Sequence, residues 1–172
     1  MKILLISVYV FILGILGLTQ PTPHLQVIGS IPARIGPFDI YPPVPGATNP
    51  DINQSNISQN ICNPHWSTSS IRPPSSYTTN LKIQQMKDLN LKGLTKDYEE
   101  DHLISLELGG SPTSTDNLWP EPYVASIPDG GARNKDKVEN YLHDQVCSGK
   151  ITLQEAQHEI VSDWYKVYLL IK

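Results

Sequence analysis

The run Tyr98-Glu99-Glu100-Asp101-His102-Leu103-Ile104 sets a carboxylate directly beside an imidazole, and Gly109-Gly110 and Asn117-Leu118-Trp119 follow it. Histidine has a proton affinity near neutrality, so it can take a proton from water, whereas a carboxylate offers the hard oxygen that a divalent cation prefers. The Asn117 amide both donates and accepts, which suits it to tie two pieces of backbone together. Taken singly, an Asp-His pair at a strand end and an Asn after Asp116 in a turn are ordinary features. Their order singles the segment out: acid and histidine, an apolar stretch, a Gly-Gly turn, then an Asn fifteen residues beyond His102.

That spacing resembles the HNH, or ββα-metal, endonuclease motif over roughly residues 98–145. The resemblance implies that His102 is the general base, that Asp101 binds a divalent cation and that Asn117 braces the loop after the histidine. The cation would neutralise charge developing on the phosphate and leaving oxygen, while neutral His102 deprotonates water. A second string, Lys135-Asp136-Lys137-Val138-Glu139-Asn140-Tyr141-Leu142-His143 through Val146-Cys147-Ser148-Gly149, follows Asn117-Leu118-Trp119-Pro120-Glu121-Pro122. This order is similar to a secreted and phage-associated branch of HNH-like proteins. With Ala156-Gln157 and Asp163-Trp164 the likeness extends over most of residues 62–168. In the family a helix residue completes the metal site. Here Asn134, Asp136, Glu139, Asn140 and His143 are available, with Glu139 or Asn134 expected before His143. Oxygen ligands point to Mg²⁺, with Mn²⁺ as an alternative; Zn²⁺ would favour the His143 imidazole.

Positioning those groups requires two strands and a helix. Asp101–Leu108 reads as a strand running into the Gly109-Gly110 turn. Asn117–Trp119 reads as a second short strand stopped by Pro120 and Pro122. From Arg133 or Asn134 to Cys147, Val138, Leu142 and Val146 recur at helical spacing, with Gly149 as the stop. A last helix is expected over 152–171, opened by a Thr152/Glu155 capping box and striped by Ala156, Ile160, Trp164 and Val167. Upstream, Ile71-Arg72-Pro73-Pro74 suggests an extended segment, and residues 79–90, with Leu81, Ile83, Met86 and Leu89, a short helix. The fold class expected is α+β: a small ββα-metal core, an added C-terminal helix and an irregular Pro-rich N-terminal segment.

Residues 1–20 have the layout of a signal peptide, one lysine followed by an apolar run, with an uncleaved anchor as the alternative. Residues 21–58 are rich in Pro, Gly, Ser and Asn and read as an irregular tether, leaving 59–172 as the HNH-like domain. Export makes a Cys62–Cys147 disulfide the expectation, closing a long loop; no Cys-x-x-Cys pair anchors a zinc site. The net charge is −4, from 13 basic and 17 acidic residues. Such a balance argues against an extended basic footprint. Arg72, Lys82, Lys92, Lys96, Arg133, Lys135 and Lys137 can still line one side, with Arg72, Arg133 and Lys135 as the phosphate-binding candidates. The function expected is a secreted or cell-envelope, metal-dependent, sequence-nonspecific endonuclease contacting DNA or RNA through phosphates. Two alternatives stand beside it: a non-catalytic, surface-tethered binding module on an HNH-like scaffold, and hydrolysis of another phosphate ester.

Overall fold

The computed structural model describes residues 40–172; the signal-peptide segment and the first part of the tether lie outside the described residues. These residues form a small α+β arrangement of three helices and one two-stranded antiparallel sheet. In chain order the elements are α1 (Ser75–Asp88), β1 (Tyr98–His102), β2 (Leu118–Pro122), α2 (Ala132–Cys147) and α3 (Leu153–Ile171). No helix among the described residues is long and apolar enough to cross a membrane.

The two strands differ from the sequence expectation in extent. β1 begins earlier, at Tyr98, and ends at His102, and Leu106–Leu108 is a 3₁₀ turn rather than strand. Leu103, Ile104, Leu106 and Leu108 are all buried, so their side chains do not alternate between a core face and a solvent face. β2 runs straight through Pro120 and Pro122. The register explains this. Leu103 N–H donates to the Asn117 carbonyl and Tyr123 N–H to the Asp97 carbonyl, so odd-numbered β2 residues face the ladder. Pro120, opposite Glu100, and Pro122, opposite Tyr98, occupy alternate positions whose missing N–H would have pointed away from β1. Helix α1 covers one face: Lys82 Nζ donates to the Tyr98 carbonyl (2.7 Å) and Gln85 Nε2 to the Leu118 carbonyl (2.9 Å). It starts at Ser75, directly after Ile71-Arg72-Pro73-Pro74 and four residues before the helix expected over 79–90, because Pro73 and Pro74 precede the first turn rather than interrupt it.

Helix α2 buries the stripe Val138, Leu142 and Val146 against Ala156, Ile160, Trp164 and Val167 of α3. The capping box at Thr152 and Glu155 is present, and the Glu155 carboxyl, bonded to Thr152, is held below its ordinary range. α3 departs from helical geometry at Asp163, whose Oδ1 accepts from Lys166 N–H (3.0 Å) and so restarts the helix. Cys62 and Cys147 are joined, with Cα atoms 5.3 Å apart, which ties the start of this body to the end of α2.

The tether expected over residues 21–58 is, from Ile40 onward, part of the packed body. Its backbone is irregular, yet Ile40, Ala47 and Ile52 lie in the core. The Trp164 indole N–H donates to the Ile40 carbonyl (2.8 Å), and Ser111 N–H donates to the Ala47 carbonyl (2.7 Å). Prolines deny this strap a ladder but not burial, since hydrogen bonds from loops and side chains serve its carbonyls instead.

The disulfide spans 85 residues of sequence, and replacing both cysteines by serine is expected to lower unfolding stability by about 2–4 kcal/mol. Urea denaturation of the Cys62→Ser/Cys147→Ser pair measures it; an unchanged midpoint would show that the bond constrains nothing the rest of the fold does not already fix.

Candidate active site

Strand alternation sends neighbouring side chains to opposite faces, and β1 obeys it. Glu99 and Asp101 share the α2 face with Glu121 and Trp119, which stand opposite them on β2. Glu100 and His102 share the α1 face with Pro120 and Leu118. Asp101 and His102 therefore approach a common region only around the end of the strand, where β1 stops.

Asn117 makes that end. Its Oδ1 accepts from Ile104 N–H (2.9 Å), and its Nδ2 donates to the carbonyls of Ile104 (3.0 Å) and Ser111 (3.0 Å). The side chain is completely buried. It thus replaces the next rung of the ladder and clamps both ends of the loop after His102. Gly110 sits in that loop because a Cβ there would meet the Ile104 carbonyl oxygen at 1.8 Å.

His102 is buried, and its Nε2 lies 3.0 Å from the Pro112 carbonyl oxygen. A carbonyl can only accept, so Nε2 carries the hydrogen and Nδ1 holds the free lone pair. Burial pushes the imidazole pKa down, further lowered by Arg72 and Lys135 and opposed by the Pro112 carbonyl and Asp101; the ring is neutral near pH 7. It lines an open cavity of about 300 Å³ with Arg72, Lys82, Glu99, Glu100 and Tyr123. Arg72 also lines a second cavity of about 270 Å³, with Glu107, Asp136 and Glu139. The Arg72 guanidinium is therefore the group common to the histidine side and the carboxylate side.

On the α2 face the carboxylates surround a cation. Lys135 is fully buried, and its Nζ donates to Asp101 Oδ2 (2.6 Å), to the His102 carbonyl (2.9 Å) and to Glu139 Oε1. Burial opposes the charge, but Asp101, Glu139 and Glu121 outweigh it and hold the ammonium protonated. The acids around it are raised. Burial pushes Glu139 up to about 8, eased by Lys135 and reinforced by Asp101. Glu121, completely buried beside Asp101, is raised well above its ordinary range by burial first and Asp101 next; as a carboxylate neither oxygen finds a donor, whereas protonated it can donate to Asp101. Glu99 and Asp136 are raised by burial first and Asp101 next.

The residues expected to bind a cation are thus placed as follows. Asp101 and Glu139 meet, and Asp136 lies close to them in the second cavity. Asn134 is turned away, its amide donating to the Asp129 carbonyl and accepting from Lys137. His143 lies at the disulfide, its Nε2 2.8 Å from the Ile61 carbonyl oxygen and 3.4 Å from Cys147 Sγ. Ligand atoms of Cys62, His143 and Cys147 fall within 4.8 Å of one another, a grouping that can hold a metal; joined as a disulfide, the two sulfurs offer no thiolate. The set Asp101, Glu139 and Asp136 does not fit a divalent ion as packed, because Asp101 Oδ2 and Glu139 Oε1 are bonded to an ammonium that stands between the two carboxyls. Lys135, expected to reach substrate phosphates, is instead sealed beneath the surface. Arg133 is exposed, 5.6 Å from the Tyr123 ring centroid. The sequence reading assigned nothing to Glu99, Glu100, Glu121 or Tyr123; only the strand register, which pairs Glu99 with Glu121, brings Glu121 to Asp101.

No family model, curated protein or solved structure matches this chain.

Glu100, whose two oxygens are buried without partners, is pushed up to about 8 by burial, eased by Lys82 and reinforced by Asp101. Its folded value exceeds the unfolded 4.5, so its stabilising contribution is complete below that value and is lost as pH rises through about 8. Glu100→Gln should match the wild type near pH 4 and gain on it steadily up to about pH 9. Urea midpoints across this range check it; a constant offset would mean that Glu100 does not titrate there.

Proposed function

We propose that the chain is an exported, sequence-nonspecific hydrolase of nucleic-acid phosphodiester bonds, with His102 as general base. The observation that carries this reading is the His102 ring: buried, with its Nε2–H turned to the Pro112 carbonyl, burial favouring its neutral form, and the residue bordering an open cavity. In that tautomer Nδ1 can draw a proton from water attacking phosphorus as the P–O bond to the leaving ester oxygen breaks and that oxygen takes a proton from solvent in the open cavity; the Pro112 carbonyl stabilises the imidazolium that results. Arg72, which lines this cavity, is the group that would pair with phosphate oxygens in fork geometry and offset charge gathering in the transition state.

The HNH-like ββα reading is supported by the order β1, β2, α2 and by Asn117, which does for the loop after His102 what that resemblance implies. Net charge of −4 is not an obstacle, because the local cations are grouped. Arg72 and Lys82 line the His102 cavity, and Lys92 and Lys96 line a neighbouring depression of about 290 Å³ that shares Tyr123 with it. A phosphate backbone lying along both meets four cations and the exposed Tyr123 ring, on which a base can stack. Cations and a stacking ring favour phosphate rather than base recognition. The disulfide supports an oxidising compartment.

His102→Ala is expected to lower cleavage by about two to four orders of magnitude and, by leaving the Pro112 carbonyl unpaired, to cost about 1–3 kcal/mol in urea stability. Arg72→Ala should weaken binding and flatten its dependence on salt. Plasmid and single-stranded RNA digestion with the disulfide-intact protein tests both. Wild-type turnover in His102→Ala would remove the assignment. Salt-dependent binding by the wild type without turnover would leave the binding-module reading in its place.

A further inference from the structure

The Lys135 ammonium is chemically complete. It has three N–H donors, and three acceptors meet it: Asp101 Oδ2, Glu139 Oε1 and the His102 carbonyl oxygen. Two of these belong to β1 and one to α2, so the cation sits where strand end and helix converge. Its partners Asp101 and Glu139 are oxygen donors of the kind a hard divalent cation takes, and Glu121 stands behind them. Mg²⁺ would need those oxygens at about 2.0–2.1 Å with near-octahedral geometry. The ammonium occupies their shared centre, and a second cation beside it would face its full charge in a medium with little water to screen it.

We propose that Lys135 is a built-in replacement for the divalent cation: its ammonium closes the Asp101–Glu139 centre to metal and supplies the fixed positive charge there. Being fully buried, Lys135 does not touch substrate. It is a positioning residue, holding the His102 carbonyl and the Asp101 carboxylate in place behind the imidazole. The charge that acts directly on a phosphate is then that of Arg72, which borders both cavities. The metal question does not depend on the hydrolase reading; only the activity arm of the test rests on it.

The test is Mn²⁺ titration followed by electron paramagnetic resonance, on wild type, Asp101→Asn, Lys135→Ala and Lys135→Ala/Asp101→Asn, with the disulfide intact. The wild type and Asp101→Asn should bind Mn²⁺ alike, through surface carboxylates only. Lys135→Ala, with the acids kept and the ammonium removed, should gain one Mn²⁺ per chain that the double variant loses. A tight wild-type ion that Asp101→Asn abolishes would overturn the proposal, whether or not Lys135→Ala folds. A folded Lys135→Ala with no new ion would also overturn it, since the carboxylates would not then be a cation cradle. In the activity arm, undiminished cleavage in EDTA supports the proposal, and loss in EDTA restored by Mn²⁺ contradicts it. If no nucleic acid is cleaved under any condition, the hydrolase reading fails alone and the Mn²⁺ titration still decides the role of Lys135.

Discussion

One buried ammonium holds this structure's polar centre together. Asp101, Glu121 and Glu139 converge between β1, β2 and α2, and three carboxyls so close would repel one another and resist burial. Lys135 resolves the conflict by spending all three of its donors there, two on β1 and one on its own helix. Removing one partner of such a buried pair typically costs about 3–5 kcal/mol, because the charge left behind is uncompensated. The same bonds fix α2 against the end of β1. The backbone of His102 is one of the three anchors, so the orientation of the imidazole is tied to the neutrality of the acid cluster on the other face of the strand.

The sheet divides labour between its faces. The α1 face carries the His102 imidazole and the α2 face the Lys135 ammonium with its acids, while the cavity beside His102 reaches round to Glu99. Asp101 raises the affinity of His102 for a proton, whereas Arg72 and Lys135 lower it, so the ring is tuned from both sides. Burial decides the balance toward the neutral form a base requires. Whole-chain net charge says little about such a site. The surface around His102 carries Arg72, Lys82, Lys92 and Lys96 beside Asp97, Glu99 and Glu100, and burial raises the last two.

Helix α2, helix α3 and the Thr152 capping box are legible in the sequence because local periodicity and local hydrogen bonds determine them. The disulfide follows from an even count of two cysteines, and the Asn117 brace from its spacing to His102. Glu121 is not legible: its meeting with Asp101 is set by a strand register that prolines at 120 and 122 disguise. Lys135 is a different case. It falls on the α2 stripe continued by Val138, Leu142 and Val146, so its burial was readable from periodicity alone. A lysine on a core stripe must find acids, and Glu139 one turn on is the first. Reading it as a surface cation gave composition more weight than position.

The strap before the disulfide shows why the boundary of the packed body was misplaced. Proline content argues only against regular ladders, and Ile40, Ala47 and Ile52 enter the core without one. Their effect reaches the histidine by a short chain of bonds. Ala47 accepts from Ser111 N–H, and its own N–H lies 3.4 Å from Asn117 Oδ1. Asn117 in turn donates to the Ser111 carbonyl, so the strap and the brace grip the same residue from two sides. Pro112, the next residue, presents the carbonyl that fixes the His102 tautomer. A segment that composition assigns to a tether is therefore linked, through Ser111 and Pro112, to the orientation of the His102 ring more than fifty residues away.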